Sequence, residues 1–196
     1  MKSLDEYLRE AEQAHGHLCA GQILGVRMAM LGLEKLGIDD PRGADRKRLI
    51  TFVEIDRCAT DAVGVVTGCR LGKRALKFRD WGKMAATFVD VNSGRAVRVA
   101  AKESSKSLAQ EMHPEITNKN QQQMLAYREI KADDLFDVQW VTVKLLEEEF
   151  PGFKGERVNC SECGEGIKFR REVRSEGKIL CRSCAGESYY TPVAER

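Results

Sequence analysis

The segment His15-Gly16-His17-Leu18-Cys19 sets two imidazoles and one thiol at alternate positions. In a locally extended backbone alternate side chains project to the same side, so the three donors are close enough to share one ion. Imidazole with thiolate suits zinc or another borderline-soft transition ion. Cys58 or Cys69, distant in the chain, must then complete the shell through the fold. Two other readings use the same residues. Cys19 is a candidate catalytic nucleophile, activated by a neighbouring histidine and by the start of a helix. In a purely structural reading His15 caps the first helix, His17 is a satisfied polar group, and the cysteines are small buried hydrophobes.

A second group of thiols carries a stronger signal. In NCSECGEGIKFRREVRSEGKILCRSC, Cys160 and Cys163 form one C-x2-C pair and Cys181 and Cys184 another, 17 residues apart. Each pair supplies two thiolates from a tight turn, and the stretch between them is long enough to close a tetrahedral site. Structural zinc is expected, because about thirty residues cannot bury enough apolar surface to fold alone and metal binding supplies the missing free energy. A dithiol redox pair or an iron–sulfur cluster is the lesser alternative, since a closed four-thiolate site leaves no open reactive position. The cysteine spacing, Cys163-Gly164 and Ile167 resemble the C4 zinc finger of the DksA/TraR type. That resemblance covers the finger alone, and the long coiled coil of those transcription factors has no counterpart here. Lys168, Arg170, Arg171 and Arg174 are interspersed with Glu162, Glu165, Glu172 and Glu176, a solvated mixed-charge surface better suited to protein contact than to DNA.

The elements that position these groups follow from the pattern around them. Ser3 with Glu6 is a capping box, and Leu4, Tyr7, Leu8 and Ala11 repeat at helical spacing, which predicts a first helix ending near Ala14. Ile23, Leu24, Met28, Leu31, Leu33 and Leu36 predict a buried second helix that stops at Gly37, so the histidine motif lies at its N-terminus. RLITFVEIDR reads as a strand and CATDAVGVVTGCR as a short helix from Cys58 to the Gly68-Cys69 turn. MAATFVDVN and RAVRVAA flank Ser93-Gly94, a hairpin signal. QQQMLAYREI is helical in pattern, and DVQWVTVKLL alternates as a final strand. Helices followed by antiparallel strands give an α+β fold, with N-terminal helices packed on a largely antiparallel sheet and a small four-cysteine finger appended. The expected division is a core over 1–150, a linker over 151–156 carrying Pro151 and two glycines, a finger over 157–188 and a tail over 189–196.

Composition bounds the partners. With 42% apolar and 32% charged residues and four prolines, the chain reads as folded and soluble rather than disordered. Residues 1–150 carry equal numbers of basic and acidic side chains and the net charge is +2, so a strong general pull toward nucleic acid is not expected. No stretch approaches the roughly 18 apolar residues of a membrane span, and MKSLDEYLREAEQAHG is acidic and amphipathic rather than signal-like. A cytoplasmic location is expected, where seven cysteines are better explained as ligands or reactive thiols than as disulfides. Asp61 lies three residues after Cys58 on the same helical face, placed either to orient a ligand and move a proton or to act as a solvated carboxylate. His113-Pro114 reads as an ordinary loop.

Four ordered motifs then resemble the FmdE family, named for the FmdE component of molybdenum formylmethanofuran dehydrogenase. They are His15-Gly16-His17-Leu18-Cys19-Ala20-Gly21 with Gly25-x-Arg27-Met28-Ala29; Glu54 with Arg57-Cys58-Ala59-x-Asp61-Ala62; Thr67-Gly68-Cys69; and Gly82-Lys83-x-Ala85 leading into Phe88. Ala20 stands where the family pattern has proline, and Arg70 where it has a small polar residue. The resemblance implies an α+β core, a homodimer and a cysteine–histidine metal cluster, with an added zinc finger in some members. It favours His17, Cys19 and Cys58 as core ligands, with His15 and Cys69 as competitors or supports, and it adds Lys83 to Cys19 and Asp61 as a candidate catalytic residue. The implied function is a metal-binding accessory subunit or homologue of molybdenum or tungsten formylmethanofuran dehydrogenase, with other dehydrogenase subunits as partners. The alternatives are a stand-alone metalloenzyme whose core metal keeps an open position as a Lewis acid, and, more weakly, a zinc-finger regulator.

Overall fold

The computed structural model describes residues 1–193, so the last three residues of the expected 189–196 tail lie outside the described residues. The chain divides into two compact units, the first Met1–Lys144 and the second beginning at Leu145.

Helix α1 spans Leu4–His15 and begins with the capping box, in which Ser3 Oγ accepts from the Glu6 amide while the Glu6 carboxylate accepts from the Ser3 amide. It ends where Gly16 turns left-handed and donates its N–H to the Glu12 carbonyl. Helix α2, Ala20–Leu36, is buried on most of its circumference, and Gly37 closes it in the left-handed conformation that a residue without Cβ adopts at little cost. Strand β1, Leu49–Val53, leads through a short loop into α3, Cys58–Thr67, and on to the three-residue strand β2, Leu76–Phe78, which pairs parallel to β1. Parallel neighbours require such a crossover, and α3 supplies it. Strands β3, Ala85–Asp90, and β4, Ala96–Ala101, form the hairpin, and β5, Phe136–Val141, pairs antiparallel with β4. The sheet order is β2-β1-β3-β4-β5, antiparallel except at its first pair. Helices α4, Ser105–Met112, α5, Lys119–Glu129, and the single turn α6, Ala132–Leu135, fill the connection before β5.

One core joins Leu8, Ile23, Met28 and Leu33 from the helices to Leu49, Val53, Phe88, Val97 and Phe136 from the sheet. Two glycines let α2 come close to its neighbours. A Cβ on Gly32 would lie 2.2 Å from the Phe88 ring, and one on Gly25 would lie 2.4 Å from the Ala59 carbonyl oxygen and 2.8 Å from its Cα. Two buried carboxylates pin the sheet. Asp90, the last residue of β3, meets Arg48 at 2.9 Å and accepts from Ser93 Oγ and the Asn92 amide. Burial would raise its pKa, but these partners outweigh burial and hold it below the ordinary carboxylate value. Glu54 receives both arms of Arg98 at 2.7 Å.

The second unit contains two small hairpins, β6 Val158–Asn159 with β7 Gly166–Ile167, and β8 Val173–Ser175 with β9 Lys178–Leu180. Its apolar core is Ile167 and Leu180 with Cys160, flanked by Val158 and Ile179. The segment before it is tied back within the same unit, because Arg170 pairs with Glu147 at 2.8 Å and stacks over Phe153. No described helix is long and apolar enough to cross a membrane.

Candidate metal centres

The four finger cysteines meet. Cys160 and Cys163 follow β6, Cys181 and Cys184 follow β9, and all four sulfurs lie within 4.8 Å of one another. Cys163 Sγ and Cys181 Sγ are 3.8 Å apart. Zinc–sulfur bonds of about 2.3 Å at tetrahedral angles place neighbouring sulfurs roughly 3.8 Å apart, so the cage fits zinc. Amides donate into it, Cys181 N to Cys160 Sγ and Cys184 N to Cys181 Sγ, each at 3.3 Å. Backbone donors from Cys163 and Cys181 bring the Cys160 thiol down to about 6, while desolvation and the Cys160 thiol push Cys163 upward and the Cys181 and Cys163 thiols push Cys184 upward. Four crowded thiols resist losing all their protons unless a dication compensates them.

The second candidate lies where α1 ends and where α2 and α3 begin. The left-handed turn at Gly16 reverses the chain after His15, and Cys19 becomes the N-cap residue of α2, its carbonyl accepting from the Gln22 and Ile23 amides. Its thiol makes no capping bond. The first amide of α2, on Ala20, is instead met at 3.5 Å by Asn120 Oδ1 from α5, a role no local signal announces. Cys58 is the first residue of α3 and comes from the loop leaving the carboxyl end of β1. That loop is held firmly: Val53 and Glu54 carbonyls accept from the Arg79, Trp81 and Lys83 amides, and Thr60 Oγ1 donates to the Ile55 carbonyl. Crevices at the carboxyl ends of parallel strands are where α/β units place ligands.

His15 Nδ1 lies 2.8 Å from Asp61 Oδ2. His15 is largely covered, whereas Asp61 is 61% exposed. An imidazole that donates Nδ1–H to a carboxylate keeps Nε2 as its lone-pair donor, the arrangement common behind metal-bound histidines. His17 is exposed, its ring centroid 4.9 Å from that of His15. An open cavity of about 380 Å³ is lined by His15, Asp56, Arg57, Cys58, Thr60 and Asp61. Burial and the adjoining Cys19 thiol push the Cys58 thiol up.

Of the expected core residues the fold therefore groups His15, His17, Cys19, Cys58 and Asp61. It does not bring Cys69 to them. Cys69 follows the far end of α3, which at 1.5 Å per residue lies about 15 Å from Cys58. Its sulfur is buried against β1, accepting from Thr51 Oγ1 at 3.5 Å and donating to the Leu49 carbonyl, and burial raises its pKa. Lys83 sits beside Trp81, its ammonium 5.8 Å from the indole centroid, and its amide bonds to Glu54. His113 ends α4, where its carbonyl accepts from Gln122. Among the described residues no three donor atoms of the core group lie as close together as the finger sulfurs do. A shared ion there would require side-chain rotation, and His17 is the exposed one of the two histidines.

Comparison with known proteins matches each of the two units to a family model. The family model described as FmdE, Molybdenum formylmethanofuran dehydrogenase operon, matches residues 14–139. A second, the prokaryotic dksA/traR C4-type zinc finger, matches residues 154–190. The chain is 32% identical over 212 aligned positions to a probable S-adenosyl-L-methionine-binding protein of Archaeoglobus fulgidus. That alignment takes in 97% of this chain and 55% of the relative, so the chain spans about half the length of the curated relative it matches. The fold is similar to the crystal structure of a tungsten formylmethanofuran dehydrogenase FmdE-like protein from Syntrophus aciditrophicus, with a TM-score of 0.67, 25% identity and coverage of 97% of this chain and 96% of that one.

Proposed function

The chain belongs to the FmdE family, and on that premise we propose that it is a two-centre metal protein, an accessory subunit or homologue of molybdenum or tungsten formylmethanofuran dehydrogenase. The finger holds structural zinc. The core site takes zinc or another transition ion through Cys19, Cys58 and the histidines, with His15 and His17 as its nitrogen donors. One observation carries the core reading: the 2.8 Å contact between His15 Nδ1 and Asp61. It fixes the ring, and in the tautomer that donates Nδ1–H to the carboxylate Nε2 carries the lone pair with which imidazole ligates metal. The core ion would supply Lewis-acid chemistry or hold structure. This chain's own residues supply the pocket: Asp61 orients His15, and Thr60 stiffens the loop that presents Cys58.

Nothing in the core resembles a pterin-cofactor domain, so the oxidation of formylmethanofuran is assigned to partner subunits, with the mixed-charge finger as a docking surface. A homodimer and a reducing cytoplasm complete the reading; the seven free thiols suit that compartment. The open cavity supports a second reading, a stand-alone metalloenzyme in which one coordination position takes water or a small substrate.

Elemental analysis tests the core site. The wild-type chain is expected to carry two ions, and Cys19→Ser and Cys58→Ser one each, with the finger ion retained. A wild-type chain that carries one ion, lost only on finger substitution, overturns the core site. Affinity purification from the native cell tests the partnership. Recovery of dehydrogenase subunits supports it, and a source that encodes none refutes it.

A further inference from the structure

We propose that Cys19 and Cys58 form a reversible disulfide, with Cys58 as the thiol oxidised first and Cys19 as the one that resolves it. The two residues are 39 apart in sequence and come from different helices, yet each stands at the very start of its helix. A Cβ on Gly21 would lie 3.4 Å from the Cys58 Cβ and 3.8 Å from the Cys19 Sγ. Both cysteines thus border the side-chain space of Gly21, and the Cys58 thiol interacts with the Cys19 thiol beside it. The helices that carry them cannot drift apart easily, because Gly25 seats α2 directly on the Ala59 backbone one residue beyond Cys58. Neither thiol is fully buried, and the Cys19 thiol makes no capping bond to α2.

Both thiols are partly exposed, and position rather than acidity sets their order, since the Cys58 thiol is the one pushed up. Cys58 lines the open cavity, whereas Cys19 is not among its walls. With hydrogen peroxide as oxidant, the Cys58 thiolate attacks one peroxide oxygen and the O–O bond breaks. Cys58 becomes a sulfenic acid, and the leaving hydroxide takes a proton to become water. The Cys19 thiolate then attacks the Cys58 sulfur. The S–S bond forms as the S–O bond breaks, and hydroxide leaves, again as water. Two thiols and one peroxide give one disulfide and two waters. A dithiol reductant reverses the step by exchange. Cys69 takes no part, since it lies buried at the other end of α3. The disulfide needs only these two thiols and stands apart from the metal assignment. The consequence for metal rests on that assignment: the pair either holds an ion as two thiolates or loses it as a disulfide.

The test treats the full chain with hydrogen peroxide, with and without dimedone, then alkylates free thiols and digests with trypsin without reduction. The expected product joins peptide 10–27 to peptide 58–70, and fragment spectra place the bridge on Cys58 rather than Cys69, which shares its peptide. The joined peptide disappears in Cys58→Ser. In Cys19→Ser it is replaced by a dimedone adduct on Cys58. Bridges that run through Cys69 or the finger cysteines overturn the proposal, as does stepwise oxidation of Cys19 and Cys58 to sulfinic acids with no bridge. Metal release is read in the same samples, with the finger cysteines mapped as unbridged. A bridge without metal release keeps the disulfide and removes the core metal; a core metal without a bridge does the opposite.

Discussion

Gly25→Ala places one methyl group where α2 meets α3, and the expected outcome follows from distances. The added carbon would lie 2.4 Å from the Ala59 carbonyl oxygen and 2.8 Å from its Cα. Ordinary contact begins near 3.4 Å, so about 1 Å of separation is needed. The obstacle is backbone, not the end of a flexible side chain, so the helices themselves must part. Overpacking of this kind costs about 1–3 kcal/mol, and a backbone obstacle puts it at the upper end. Alanine recovers about 1 kcal/mol as the better helix former. The net loss is then about 2 kcal/mol, which in a unit of this size lowers Tm by roughly 4–8 °C. Both tryptophans, Trp81 and Trp140, belong to the first unit, so thermal unfolding followed by their fluorescence reports on it and not on the finger. Gly72→Ala is the control: nothing lies within 4 Å of its Cβ position, and its Tm should stay within about 1–2 °C of wild type, as for other surface substitutions. If Gly25→Ala melts at or above the wild-type temperature, the close seating of α2 on α3 is refuted, and with it the argument that holds Cys19 opposite Cys58.

Asp61→Asn should weaken core metal binding by roughly 10–100-fold in chelator competition and leave the finger ion in place; equal affinities would remove Asp61 from its orienting role. Chelation that strips the finger should abolish its protection from proteolysis while tryptophan fluorescence stays unchanged, because Ile167 and Leu180 are too little core to hold it. Glu10 is held at about 2 by Arg42 and Lys2, so its carboxylate contributes stability that is present above about pH 4.5 and is lost as pH falls toward 2. The Tm difference between wild type and Glu10→Gln should therefore shrink over that window, and a constant difference would refute the pairing. Arg98→Ala leaves the buried Glu54 carboxylate unpaired and should cost on the order of 3 kcal/mol in urea unfolding.

Much of this architecture was legible because its signals are local. Ser3 and Glu6 announce α1, Gly37 ends α2, Ser93-Gly94 turns the hairpin, and the cysteine spacing alone predicts the finger cage. What escaped depends on distance. Strand β2 is three residues long, too short for periodicity, and it exists because α3 delivers it alongside β1. Helix α4 has only Ser105 and Ala109 buried, which leaves little apolar pattern to read. Asp61 was legible as a carboxylate on the face of Cys58, but its partner His15 is 46 residues away and no local rule joins them. Cys69 resisted for a related reason. In sequence it brackets α3 with Cys58, and only the length of the helix shows that bracketing an element puts two residues at opposite ends of it.

That separation turns Cys69 into a gauge. Cys58 opens onto a cavity, and in the reduced, metal-free chain it reacts with a thiol reagent whenever the reagent diffuses in. Cys69, buried against Thr51 and the Leu49 carbonyl in the core strand, reacts when β1 and α3 come apart. Under conditions where reclosing outpaces labelling, its reaction rate relative to an open thiol measures the free energy of that opening. The native chain thus carries, without an introduced probe, one sulfur that reads access and another that reads stability.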